Sequence, residues 1–169
     1  MATRPLIPLL LSLALLTPAA AVAANEWTVC HRSDVKALRI FTVGEATLSR
    51  LDCNAGNLLA PPLRLEFRYF RDVPGDAFAK AAMNFLRKNL DETTFDALAP
   101  RFERFNSHYQ DIGDGDIYRL IYRDQALELF LNDTPLARET GNDFASAYLQ
   151  IWFGEAPYSD SLKASLLGR

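Results

Sequence analysis

The chain has 169 residues, a length that fits one domain with a core large enough to be stable without covalent or metal cross-links. Eighteen Lys and Arg residues stand against 21 Asp and Glu residues, giving a formal net charge of −3. This acidic balance argues against a nucleic-acid partner, because contacts to phosphates need a basic face. Beyond the first two dozen residues, no segment of the sequence is long and apolar enough to span a membrane.

Residues 1–24 have the three parts of a secretory signal peptide: an early basic residue, an apolar run over residues 6–16, and small residues before the cleavage point. The run is much shorter than the roughly 20 residues needed to cross a bilayer, so we expect cleavage rather than anchoring. Cleavage after Ala23 or Ala24 fits the pattern equally well and leaves residues 25–169 as the mature domain. We therefore expect a periplasmic or secreted protein.

The first part of the mature chain is rich in β-prone residues. Residues 26–30 predict a short strand, residues 31–34 a turn, and residues 35–48, with many β-branched and aromatic side chains, a longer strand. Gly44 within the longer strand predicts a bulge, a bend or a turn. Glycine, asparagine and two consecutive prolines then predict a loop at residues 51–62.

The stretch that follows contains both element types. From Leu63 to Tyr69 every second residue is apolar, which predicts a strand with one apolar face. Beyond Pro74, apolar residues from Phe78 to Leu86 recur at helical spacing. Proline suits the first turn of a helix because its missing N–H is not needed there. We expect a strand that turns into a helix folded back over the sheet.

The second half of the chain continues this α+β mixture. Asp91 is the predicted cap of a second helix that reaches Tyr109, and Pro100 should kink or split that helix. Three further strands and two more helices are predicted at residues 117–122, 127–131, 135–139, 142–153 and 159–167. Asn142 and Ser159 are the predicted caps of the last two helices.

Cys30 and Cys53 are the two cysteines of the chain, and in an oxidising compartment we expect them to form a disulfide. A straight strand over residues 35–50 would separate its ends by about 50 Å, far more than a disulfide spans. The bridge therefore requires the chain to reverse between the cysteines, and Gly44 is the expected point. The alternative is a pair of buried thiols.

The sequence contains no motif of a hydrolase, a metalloenzyme or a cofactor-binding protein. His31 and His108, the two histidines, have no partner residues at catalytic or metal-binding spacing. Asp111, Asp114 and Asp116 lie in the segment DIGDGD, whose spacing is not that of an EF-hand loop and is typical of a turn. We predict no catalytic residue, no metal site and no cofactor.

Arg68 is the charged residue with the clearest potential role. It lies within a predicted strand, on the face opposite Leu65 and Phe67. If that face lines a pocket, the planar guanidinium could bind a carboxylate or a phenolate. If that face is open to solvent, as one face of an antiparallel sheet often is, Arg68 is an ordinary surface residue.

Two segments carry a family resemblance: EFRYFRDVPGDAFAKAA at residues 66–82 and LELFLNDTPLARETGNDFASAYLQIWFGEAPYSDSLKASLLG at residues 127–168. They resemble the chalcone isomerase superfamily, and most closely its bacterial exported chalcone-isomerase-like branch. The likeness covers roughly residues 35–168. It implies an open-faced β-sandwich, in which helices pack on one face of a long antiparallel sheet.

The resemblance also implies where catalytic residues would lie. In plant enzymes of the family, an arginine and a threonine on neighbouring strands steer a phenolate onto an enone, aided by a tyrosine, an asparagine and a late hydroxyl residue. The corresponding positions of the arginine, the threonine and the late hydroxyl are Val29 or Cys30, Thr42 or Phe41, and Ile151. The arginine is absent, and residues 91–106 contain no clear counterpart of the tyrosine and asparagine.

These observations lead to a hypothesis of a non-catalytic, exported protein that holds a small apolar or amphipathic ligand, such as a fatty acid, between sheet and helices. Thr42 and Arg68 are its candidate ligand-binding residues. One alternative is an isomerase or lyase for chalcone-like phenolic substrates, with a site rebuilt around Arg68 and Tyr69. Another is a protein that binds a partner through an exposed sheet face. The sequence indicates neither the ligand nor the oligomeric state.

Overall fold

The sheet and helices are seen in a computed structural model that describes residues 26–37 and 40–169. The signal peptide predicted for residues 1–24 lies outside the described residues. The strands are β1 (Thr28–Ala37), β2 (Phe41–Arg50), β3 (Leu63–Tyr69), β4 (Ile117–Arg123), β5 (Ala126–Leu131) and β6 (Thr134–Thr140). The helices are α1 (Gly75–Asn89), α2 (Glu92–Asn106), α3 (Asn142–Phe153) and α4 (Asp160–Leu166).

The described strands form one antiparallel sheet in which each strand pairs with the next along the chain. Leu65 at the centre of β3 pairs with Leu48 of β2 and with Leu120 of β4, and all three side chains are buried. They share one core with buried aromatic residues of α2 and α3, including Phe102 and Phe144. The fold is therefore the expected open antiparallel sheet with helices on one face.

The opposite face of the sheet carries ion pairs instead of helices. Glu66 of β3 accepts from Arg119 on the neighbouring strand at 3.0 Å and lies 2.9 Å from Arg64 on its own strand. This outer face follows directly from the alternation, since residues between the buried ones must point away from the core. None of the helices in the described part of the chain has the length and apolar character needed to cross a bilayer.

The predicted strand–helix unit is confirmed. β3 covers the alternating stretch, and Pro74 is the residue that caps the start of α1. Asp91 caps α2 by accepting from the Thr94 amide at 3.0 Å, and Ser159 caps α4 by accepting from the Leu162 amide. In each case local chemistry alone determined where the helix begins.

The predicted turn at residues 31–34 is wrong. β1 runs through these residues and pairs with β2, for example at Arg32 with Thr47, because the chain reverses between Ala37 and Phe41 instead. Gly44 does mark a bulge, as the pairing shifts beside it and leaves the neighbouring residue without a partner on β1. A Cβ at Gly44 would lie 2.4 Å from a backbone oxygen of β3, so only glycine allows this approach.

The predictions for α2 and α3 have different outcomes. α2 continues across Pro100 and is not split, since buried residues on both sides, including Phe95 and Phe102, hold the helix against the core, while the alternative of a kink stays a prediction. The cap prediction for α3 is wrong, because Asn142 is not the cap. Gly141 occupies the cap position, and the Asn142 side chain accepts a hydrogen bond from the Tyr122 hydroxyl at 2.8 Å.

The predicted disulfide is present and joins Cys30 of β1 to Cys53, just after β2, with Cα atoms 5.3 Å apart. The reversal between β1 and β2 brings the two cysteines together, although it precedes Gly44, the expected point. The loop that follows is held by Arg50, a buried side chain that donates to the carbonyl oxygens of Asn57 and Ala60 at 2.8 and 2.6 Å. This end of the β1–β2 pair is therefore fixed both covalently and by hydrogen bonds.

Replacing both Cys30 and Cys53 by Ser should lower the free energy of unfolding by about 3 kcal/mol, because the unfolded chain loses a cross-link over a separation of 23 residues. Urea denaturation of the oxidised wild-type protein and the double variant measures the difference. Reductant should destabilise the wild type and leave the double variant unchanged. Equal urea midpoints for oxidised and reduced wild type would contradict the prediction.

Candidate functional site

A cleft of about 420 Å³ lies between α1 and the sheet. The ends of β1, β2 and β3 form one wall, α1 forms the other, and residues of α3 close the interior. Seven of the seventeen lining residues are aromatic, and two, Arg71 and Asp72, are charged. An apolar cavity with a few polar groups is typical of small-molecule sites.

The size of side chains on α1 explains why this space exists. Ala77 and Ala81 face the cleft one turn apart, where their short side chains leave room opposite the sheet. Two larger residues hold the helix at a distance: the Phe78 ring lies 5.2 Å from the Tyr69 ring, and the Phe85 ring lies 5.7 Å from that of Tyr158. The contact with Tyr69 keeps α1 apart from the sheet, the contact with Tyr158 holds it against the segment between α3 and α4, and the alanines between them leave the interior open.

A chain of hydrogen bonds runs inward from the cleft. Tyr148 donates to Asn106 Oδ1 at 2.6 Å, which uses its single proton, so the Tyr109 hydroxyl must donate to the Tyr148 oxygen at 3.1 Å. Tyr109 lines the cleft, and burial raises the pKa of both phenols, so both stay neutral. The Tyr109 hydroxyl can accept a hydrogen bond from a ligand, but its proton is committed to the protein.

The cleft interior is therefore uncharged. Burial also raises the pKa of Tyr69 and of Tyr158, the other two tyrosines that line it. Arg71 and Asp72 are exposed, which places both charges of the lining at its mouth. The arrangement suits a ligand with an apolar body and a polar end.

The two predicted ligand-binding residues lie elsewhere. Thr42 is exposed and donates to the Asp34 carboxylate at 3.5 Å, and Arg68 is exposed on the outer face and donates to the Gly115 carbonyl at 3.2 Å. Neither residue lines the cleft, and among the described residues the two side chains have different hydrogen-bond partners. Their role in ligand binding stays a prediction without geometric support.

The sequence analysis missed Arg71 and Tyr109. For Arg71 the sequence offered only its position two residues beyond Tyr69, because the chain bends at Phe70 and Arg71 and the alternation of β3 ends there. Nothing local pointed to Tyr109, which meets its partner Tyr148 across 39 residues of chain.

The positions that the family resemblance assigned to catalysis do not form one site. Val29 is exposed and Cys30 is in the disulfide, while Ile151 lines the cleft as an apolar residue. Arg50 is the buried arginine of the helix-covered side, but it holds the loop after β2 and does not line the cleft. Within the described ranges, no arginine reaches the cleft interior.

The DIGDGD segment forms a turn. Asp116 accepts from the Gly113 amide and from the Asn132 side chain, and Asp111 accepts from the Gly75 amide at 2.8 Å. Two of the three carboxylates are thus used within the protein. The described residues contain no cluster of His, Cys, Asp and Glu that could hold a metal ion.

Replacing Tyr148 by Phe should lower the free energy of unfolding by about 2 kcal/mol, because it leaves the buried Asn106 amide and the Tyr109 hydroxyl without partners. The matched control is Tyr122→Phe, which should cost about 1 kcal/mol because its partner Asn142 is exposed and can bind water. Urea denaturation compares them. Equal losses for the two variants would contradict the prediction.

Comparison with known proteins places this fold in a family. The crystal structure of the Arabidopsis thaliana fatty-acid binding protein AtFAP1 superposes with a TM-score of 0.59 at 13% sequence identity, covering 90% of this chain and 95% of that chain. At this identity the match shows a shared fold alone. No curated protein sequence matches the chain. The family model described as chalcone isomerase-like matches residues 52–168, and the chain therefore belongs to the chalcone isomerase-like family.

Proposed function

We propose that this protein is an exported, non-catalytic member of its family that binds a small apolar or amphipathic ligand, such as a fatty acid, in the cleft between α1 and the sheet. The observation that carries the proposal is the cleft itself: about 420 Å³, largely apolar and lined by seven aromatic residues. That volume lies within the range of about 300–1,000 Å³ seen for small-molecule pockets.

The physics of the lining favours a hydrocarbon ligand. Each methylene group moved from water into an apolar cleft contributes about 0.8 kcal/mol to binding, before the costs of immobilising the ligand. The name of the structural neighbour AtFAP1, a fatty-acid binding protein, supports the same ligand class by analogy of fold.

We infer no catalytic role because the cleft does not offer the groups that ring closure of a chalcone requires. Ring closure of a chalcone needs a cation beside the phenolate and hydrogen-bond donors at the developing enolate. The Tyr109 proton is committed to Tyr148, and the cation nearest the site, Arg71, is exposed at the mouth. The interior is thus equipped to hold an apolar group rather than to stabilise negative charge.

Filling the cleft should weaken binding. Ala81→Phe places a ring in the space that Ala81 leaves open, and it should weaken binding of laurate, a single-chain fatty acid, at least tenfold. The matched control is Ala97→Phe at an exposed position of α2, which should leave affinity unchanged. Isothermal titration calorimetry measures affinity, and circular dichroism confirms that both variants are folded.

Two outcomes would contradict this proposal. Failure of laurate to bind the wild-type protein would remove the binding function. Loss of the visible absorbance of naringenin chalcone faster than the spontaneous background, with the wild type but not with Ala81→Phe, would assign an isomerase to the cleft.

Export is the second part of the proposal, and it predicts processing of the full chain. Expressed in a Gram-negative host, the protein should accumulate in the periplasm with Ala24 or Asn25 as its first residue, as the small-residue stretch before the cleavage point predicts. Fractionation followed by intact-mass measurement tests this. Full-length protein in the cytoplasmic fraction, with Met1 retained, would contradict export.

A further inference from the structure

We infer that the ligand is a single-chain monocarboxylate that binds with its tail inside the cleft and its carboxylate at the mouth, held by Arg71 and the Tyr69 hydroxyl. This inference rests on the proposed binding function and adds the ligand class, its orientation and the residues that select it. The starting observation is that the charges of the lining lie at the mouth while the interior is neutral.

Arg71 is the cation of the lining, and its charge is not neutralised within the described residues. Several other arginines are paired with carboxylates: Arg101 with Glu139 and Asp143, and four arginines of the outer face with Glu66 or Glu128. Among the described residues, Arg71 has no carboxylate within 4.0 Å and donates no hydrogen bond. Its planar set of donors is thus available to a ligand carboxylate.

The Tyr69 hydroxyl provides the second contact. It also has no hydrogen-bond partner among the described residues, although Tyr69 lines the cleft and is largely covered by the rings of Phe78 and Tyr118. Burial raises its pKa, so the phenol keeps its proton and can donate it. Tyr69 is the last residue of β3, Arg71 follows two positions later where the chain bends, and both residues line the cleft.

Neighbouring charges do not replace Arg71. Asp72 has the opposite sign, and one of its carboxylate oxygens lies 3.5 Å from where a Cβ on Gly113 would be, so it faces the turn before β4. The first backbone amide of α1 is not available to an anion either, since the Gly75 amide donates to Asp111 at 2.8 Å. A negatively charged head group can therefore contact Arg71, because the Asp72 carboxylate faces the turn before β4.

The volume limits the tail. At about 420 Å³ the cleft is near the lower end of ligand pockets, which suits one hydrocarbon chain better than the two chains of a membrane lipid. A single cation and a single hydroxyl donor match a head group with one negative charge. These two limits together define a single-chain monocarboxylate.

Three probes with the same tail test the head group: laurate, dodecanol and dodecylammonium. For the wild type we expect laurate to bind roughly fivefold more tightly than dodecanol, and dodecylammonium to bind most weakly, because the contact to an exposed arginine is only modestly strong. Titration calorimetry at low and high salt measures this, and the preference for laurate should shrink as salt increases.

Variants locate the contact. Arg71→Gln should remove the preference for laurate over dodecanol, whereas Arg68→Gln, which changes an exposed arginine on the opposite face of the sheet, should preserve it. Tyr69→Phe should weaken laurate and dodecanol alike by roughly threefold, since both heads accept a hydrogen bond. Asp72→Asn should keep or increase the preference for laurate.

The outcomes separate this inference from the binding function. Equal affinity for laurate and dodecanol, unchanged by Arg71→Gln, would overturn the inference and leave the binding function in place. Preferential binding of dodecylammonium, lost in Asp72→Asn, would assign the mouth to a cation. If none of the three probes binds, the proposed function and this inference both fail.

Discussion

The register of β3 is the constraint on which the rest of the structure depends. β3 lies between β2 and β4, and its alternation determines which side chains face the helices and which face water. A shift of one residue would turn Leu65 outward and bring Glu66 into the core. The same register also puts Tyr69, the last residue of β3, on the wall of the cleft, and Arg71 lies just beyond it in the bend that leads towards α1.

The cleft itself is a consequence of how α1 packs. Interiors normally close around small side chains, so alanines facing a sheet would allow the helix to approach it. Here Phe78 and Phe85 contact tyrosine rings at two points along the helix and stop that approach. The space is thus maintained by large residues at its edges and created by small ones between them.

Local patterns predicted the parts of the fold whose causes are local. The alternation of β3 and the caps at Asp91 and Ser159 depend on residues close together in sequence, and each matched. The prediction of a turn at residues 31–34 was wrong because the polar residues there lie within a hairpin strand, where pairing with β2 outweighs their preference for turns. The sequence offered no means of finding where that hairpin reverses.

The candidate site was harder to predict, for two reasons. Arg68 lies within β3 on the face away from the helices, whereas Arg71 lies beyond the end of β3 and lines the cleft, and the sequence did not show which of the two arginines faces the helices. The pairing of Tyr109 with Tyr148 depends on how α3 packs beside the end of α2, which no local pattern encodes. Cavities share this property, since the distance between two elements is set by every contact around them.

The disulfide and the buried Arg50 stabilise one end of the β1–β2 pair, and the cleft lies at the other end. A small outward displacement of α1 would admit a ligand without breaking any ladder of the sheet. Such local opening costs far less free energy than global unfolding. The covalent cross-link can therefore protect the scaffold against denaturation without slowing exchange of the proposed ligand.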